Sequence, residues 1–125
     1  DQKLCKLAEA NAESMQLTGK YEVCNQVIDE HNLDLEGYDL IISNPPWGRQ
    51  REGADSAFFE NILASETIAH IMHSAGAKHL RKRFEDMNWS VEMYGEADFP
   101  LPASYSHHKM TRGVTRAGFW RLAPP

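Results

Sequence analysis

"YDLIISNPPWGRQ", residues 38–50, runs from a short isoleucine-rich apolar segment straight into two prolines and a tryptophan. The apolar part has the pattern of a central strand covered on both faces. The prolines fix their own φ and bias their predecessors to extended backbone, so the strand stops abruptly in a stiff turn. Around it the chain alternates. Upstream, Leu4, Leu7, Ala8, Ala12 and Met15 share one face of a helix that Gly19 is placed to end, and "YEVCNQV", residues 21–27, reads as a strand. Downstream, the polar, glycine-containing loop 48–54 leads to a helix that Asp55 can cap, with Ala57, Phe58, Ile62 and Leu63 as its apolar face. "TIAHIMHSA", 67–75, reads as a buried strand. "KHLRKRFEDMN", 78–88, reads as a helix with Leu80, Phe84 and Met87 inward, and 89–102 and 115–123 read as two closing strands. This order predicts an α/β fold: a mostly parallel sheet with helices on both faces and antiparallel carboxyl-terminal strands. Ligands of such sheets sit beyond the carboxyl ends of the strands, which is where residues 44–47 fall.

With 125 residues and 42% hydrophobic content, the chain is about one globular domain, and no apolar run approaches the ~20 residues of a membrane span. The amino terminus is polar and not signal-like. Two cysteines, Cys5 and Cys24, suggest a reducing, intracellular compartment, and metal-ligand spacing is absent. The net charge of -5 is unevenly spread. Residues 1–43 hold nine acids and three bases, whereas 103–125 hold four bases and no acid. A cationic end interleaved with Tyr105, Phe119 and Trp120 suits a phosphate backbone, although a solvated basic tail is the commoner explanation.

Asn44, Pro45, Pro46 and Trp47 match the needs of one demanding reaction. An exocyclic amine on a planar base is a poor nucleophile because its lone pair is delocalised into the ring. Methylating it requires acceptors that hold the amine and draw it toward tetrahedral geometry. The Asn44 side-chain oxygen and a backbone carbonyl held by proline can each accept one N–H. The prolines pre-aim those acceptors, and Trp47 offers a face for an unstacked base, a contact of roughly 1–3 kcal/mol. The bland reading is a turn that ends a strand and buries a tryptophan. Its position after a core strand in an alternating chain favours the chemical reading.

"NPPW" preceded by "YDLIIS" resembles the signature of Class I methyltransferases that act on amino nitrogens of adenine, cytosine or protein glutamine. "NPPWGRQREGADSAFF" and "DFPLPASYSHHK" resemble two segments of the methyltransferase-like protein five family, and "EANAESMQLT" resembles that family's helix after the second strand. The resemblance implies a Rossmann-like domain that uses S-adenosyl-L-methionine to form N6-methyladenosine in small-subunit ribosomal RNA. It implies that Asn44 and the Pro45 carbonyl hold the adenine amine while Trp47 stacks on the base. Gln26 and Val27 fall at the family's contacts to the cofactor adenine, Gln26 standing where the family has aspartate. Asp55 matches a loop aspartate near the substrate, beside its other reading as a helix cap. Tyr105, His107, His108 and Lys109 match a loop at the substrate entrance, with an exposed loop as the alternative for the histidines.

The same resemblance implies a glycine-rich turn after a first strand and an acidic ribose-binding residue, and the eight glycines here include no G-x-G. Residues 1–125 are therefore expected to be the carboxyl-terminal portion of one methyltransferase domain, a partial fold that binds cofactor poorly by itself. The resemblance further implies a small zinc-binding activator subunit paired to an edge strand, expected at 21–27, and a cytoplasmic or nuclear location. Two alternatives stand beside this one: a protein-glutamine N5-methyltransferase of the release-factor type, and a noncatalytic RNA-binding or partner-binding fragment.

Overall fold

A computed structural model describes residues 1–47, 52–100 and 114–125. The elements are α1 (Gln2–Ser14), β1 (Ile41–Ser43), α2 (Ser56–Ser65), β2 (Ala69–Ser74), α3 (Lys78–Glu85), β3 (Ser90–Pro100) and β4 (Val114–Ala123). They build a four-stranded sheet in the order β1-β2-β4-β3. β1 and β2 are parallel, joined through α2, and β2–β4 and β4–β3 are antiparallel. The antiparallel end is as expected, and the parallel part consists of the β1–β2 pair among the described residues.

The core lies where α2 and α3 cover β2 and β4. Phe59, Ile62, Ala69, Ile71, Leu80, Phe84, Trp89, Trp120 and Leu122 form one buried cluster. β2 shows why these residues make a strand: Ala69, Ile71 and His73 alternate inward with half-buried His70, Met72 and Ser74 outward. Phe84 meets Phe59 at 5.6 Å and Trp89 at 5.4 Å between ring centroids, both edge-on, the arrangement aromatic pairs prefer. A bidentate Arg83–Glu60 pair, 2.7 Å at each contact, ties α3 to α2. Gly118 in β4 permits the closest approach. A Cβ there would lie 2.8 Å from Met93 Sδ and 3.1 Å from the Ala75 Cα.

Several expectations change. Residues 21–27 are not a strand, because no neighbouring strand among the described residues supplies a ladder and extended backbone without one is not stable. The segment expected to pair with an activator subunit is therefore not a strand. Among the described residues β1 lies at the edge of the sheet, and Ile42 is 79% exposed. α1 forms as read but buries no residue, so its apolar face is open. It ends at Met15, with Gln16 rather than Gly19 taking the first positive φ. In α2 the buried aromatic is Phe59, one position on from Phe58, and Met87, past the end of α3 at Glu85, is exposed. The strand expected at 115–123 forms as β4, and it lies in the core. Trp120 and Leu122 are buried in it, and Arg116 is paired with Glu96 and Asp98. Cys5 and Cys24 are free thiols. No helix among the described residues is long and apolar enough to cross a membrane.

Candidate functional site

Because β1 and β2 are parallel, their carboxyl ends meet at one edge of the sheet, and that edge carries the motif. Asn44, directly after Ser43, is exposed, Pro45 is fully buried, and Trp47 is half-buried. The Trp47 indole N–H donates to Asn44 Oδ1 at 3.2 Å. An indole nitrogen only donates, so the bond settles which amide atom of Asn44 is the oxygen and holds that rotamer. The oxygen keeps a second lone pair for another donor.

Trp47 is walled on two sides. The β3–β4 hairpin runs past the end of β2, since Ser74 pairs with Ala117 while Pro100 pairs with Val114 further out. This overhang brings Phe99 to 6.2 Å from Trp47, with the rings inclined at 58°. From β2, His73 lies 6.2 Å from Trp47 at 31°.

Asp55 is buried at the amino end of α2, but its side chain caps nothing. Its backbone carbonyl accepts from the Phe58 and Phe59 amides, and Oδ2 accepts from His73 Nε2 at 2.9 Å and His79 Nε2 at 2.6 Å. One oxygen of the carboxylate thus serves two imidazoles. Burial holds the His73 pKa below the usual histidine range, against the opposing pull of Asp55. Neither histidine was singled out by the sequence. The usable signal was parity: His73 falls on the inward face of β2, where an imidazole needs a polar partner.

Gln26 and Val27 lie in the irregular segment before β1. Val27 is 74% exposed, while Gln26 Nε2 donates to the Asn32 carbonyl at 3.1 Å. Nothing among the described residues supplies a glycine-rich cradle for the rest of a nucleoside cofactor. Asn61, also unforeseen, fixes this region to α2: its buried amide accepts from the Leu33 N–H at 2.9 Å and donates to the Asp29 carbonyl at 2.6 Å. Tyr105, His107, His108 and Lys109 lie outside the described residues, in the connection between Pro100 and Val114.

The sequence profile of the RMKL-like methyltransferase domain family matches residues 1–94. Among curated proteins, the chain is 30% identical over 90 residues to the zebrafish (Danio rerio) protein METTL5, named an rRNA N(6)-adenosine-methyltransferase. It is 34% identical over 89 residues to an uncharacterised protein of Methanocaldococcus jannaschii. Each alignment covers 70% of this chain, and the chain spans 44% and 39% of the two relatives' lengths. Among solved structures, it superposes on PH1948 of Pyrococcus horikoshii, provisionally described as an RNA methyltransferase, with a TM-score of 0.75 at 20% identity, covering 99% of this chain and 60% of that one. A Thermoplasma acidophilum protein matches with a TM-score of 0.60 at 24% identity, covering 79% of this chain and 53% of that one. At these identities the structures establish a shared fold, of the Rossmann-like class.

Proposed function

We propose that this chain, which belongs to the RMKL-like methyltransferase domain family, carries the substrate-side part of an RNA adenine-N6 methyltransferase site that acts on small-subunit ribosomal RNA. The observation that carries the reading is the pairing of Asn44 with Trp47 at the carboxyl end of β1. It leaves an exposed amide oxygen of fixed orientation beside an aromatic ring. The likeness to METTL5 supports RNA adenine over glutamine as the acceptor.

In this reading an unstacked adenine lies against Trp47, and its amine donates one N–H to Asn44 Oδ1 and the other to the Pro45 carbonyl. Both acceptors draw electron density onto the amine nitrogen as positive charge develops there, so they act mainly in the transition state. Pro45 and Pro46 restrict the backbone that carries them, which lowers the ordering entropy. Bound S-adenosyl-L-methionine supplies an electrophilic methyl group. In the same reading Gln26 and Val27 touch its adenine. Tyr105, His107, His108 and Lys109 remain candidates for the RNA entrance. The zinc-binding activator subunit stays part of the proposal without residues 21–27 as its seat, and a ribosomal substrate implies work in the cytoplasm or nucleus.

The test is product identity. Protein expressed from its complete reading frame is incubated with methyl-labelled cofactor and small-subunit ribosomal RNA, and the RNA is digested to nucleosides. Label in N6-methyladenosine is the expected result. Label in another nucleoside, in protein glutamine, or in neither would refute the assignment.

A further inference from the structure

We propose that Asp55, His73 and His79 form a positioning unit that seats the Trp47 ring. The proposal rests on the reading of Trp47 as the base platform and assigns residues that the reading leaves unused.

The unit gathers three elements at one atom. Asp55 stands before α2, His73 near the end of β2 and His79 in the first turn of α3, and both Nε2 atoms meet Asp55 Oδ2. The carboxylate fixes the His73 ring, and that ring backs Trp47 at 6.2 Å between centroids. The hydrogen bond places the His73 proton on Nε2. Its buried Nδ1 then keeps a bare lone pair with no partner among the described residues, a smaller cost than stranding an N–H. The ring has one satisfied orientation, and with it one plane to present to Trp47.

The same three side chains form a set that could ligate a metal ion. The distances favour the hydrogen-bonded unit. Zinc bonds of 2.0–2.1 Å in tetrahedral geometry hold ligand atoms about 3.3 Å apart. Here the nitrogen–oxygen separations are 2.9 and 2.6 Å, which are hydrogen-bond lengths. An ordinary buried histidine would need one acceptor. A second imidazole, its side chain 58% exposed, on the same oxygen adds a grip that burial alone does not require.

The test uses protein from the complete reading frame, labelled with nitrogen-15, and follows its indole N–H resonances, with Trp47→Phe assigning Trp47. In Asp55→Asn and in His79→Ala, whose lost side chain is largely exposed, the Trp47 resonance is expected to move while those of Trp89 and Trp120 stay. The KM for RNA is expected to rise about tenfold with the cofactor KM unchanged. A Trp47 resonance unmoved in both variants overturns the proposal, as does one equivalent of tightly bound zinc in the purified protein. Movement of Trp47 in a protein that transfers no methyl group supports the positioning unit and removes the methyltransferase reading instead.

Discussion

Helices α1 and α3 both carry apolar side chains at helical spacing, yet α1 buries none of them while Leu80 and Phe84 of α3 are fully buried. The intrinsic signals do not explain the difference, since α1 is the longer helix and has the better start. The Asp1 carboxylate accepts from the Lys3 and Leu4 amides, whereas α3 begins at Ala77 with no side-chain cap. What α3 has is a partner: β2 and β4 beneath it, α2 beside it through Arg83 and Glu60, and Trp89 folded against Phe84. A periodic pattern fixes which face of a helix is apolar, and only a packed neighbour turns that face into stability.

That contrast is open to attack by substitution, beginning with the largest effect. Phe84→Ala is expected to lose about 3–5 kcal/mol, and Leu80→Ala about 2–5 kcal/mol, in denaturant unfolding of a protein that still folds. A loss below about 1 kcal/mol at both positions would mean that α3 is not part of the core. Gly118→Ala should cost about 1–3 kcal/mol by the same measurement, because the added methyl meets Met93 Sδ and the Ala75 backbone.

Acidification probes His73. Burial holds its pKa in the folded protein below the ordinary histidine value of 6.5, so the folded state favours the neutral ring. The associated stability is present above pH 6.5 and is lost as pH falls through the folded value. The titratable groups facing it are Asp55 and His79. Its ring-proton resonances should therefore titrate below pH 6.5. Titration at or above that value would contradict the burial argument. Arg83→Ala should cost no more than about 1 kcal/mol, since the guanidinium is partly solvated even though its pair with Glu60 is bidentate. Leu7→Ala in α1 should change unfolding by less than about 0.5 kcal/mol, because Leu7 is 56% exposed.

The same distinction marks how far the sequence could be read. α2, β2, α3 and the β3–β4 pair were legible because their patterns are satisfied by neighbours close in the chain. Asn44 to Trp47 were legible as a stiff turn at the carboxyl end of a strand because consecutive prolines leave little conformational choice. Residues 21–27 have a strand-like composition, but strand formation depends on a pairing partner that the segment's own sequence does not specify. Asp55 was legible as a candidate cap, but its side chain caps nothing and its carboxylate serves two histidines 18 and 24 positions away. Convergence at that distance depends on β2 and α3 packing against α2, which local spacing does not report. Asn61 was missed likewise, its amide linking a turn 28 to 32 residues upstream.

The central claim is that Asn44 holds the reacting amine, and the direct measurement is methyl transfer to ribosomal RNA by protein from the complete reading frame and by its Asn44→Ala variant. Loss of one pre-aimed acceptor should lower kcat about a hundredfold or more with RNA binding largely kept. Equal incorporation of label by the two proteins would contradict the account.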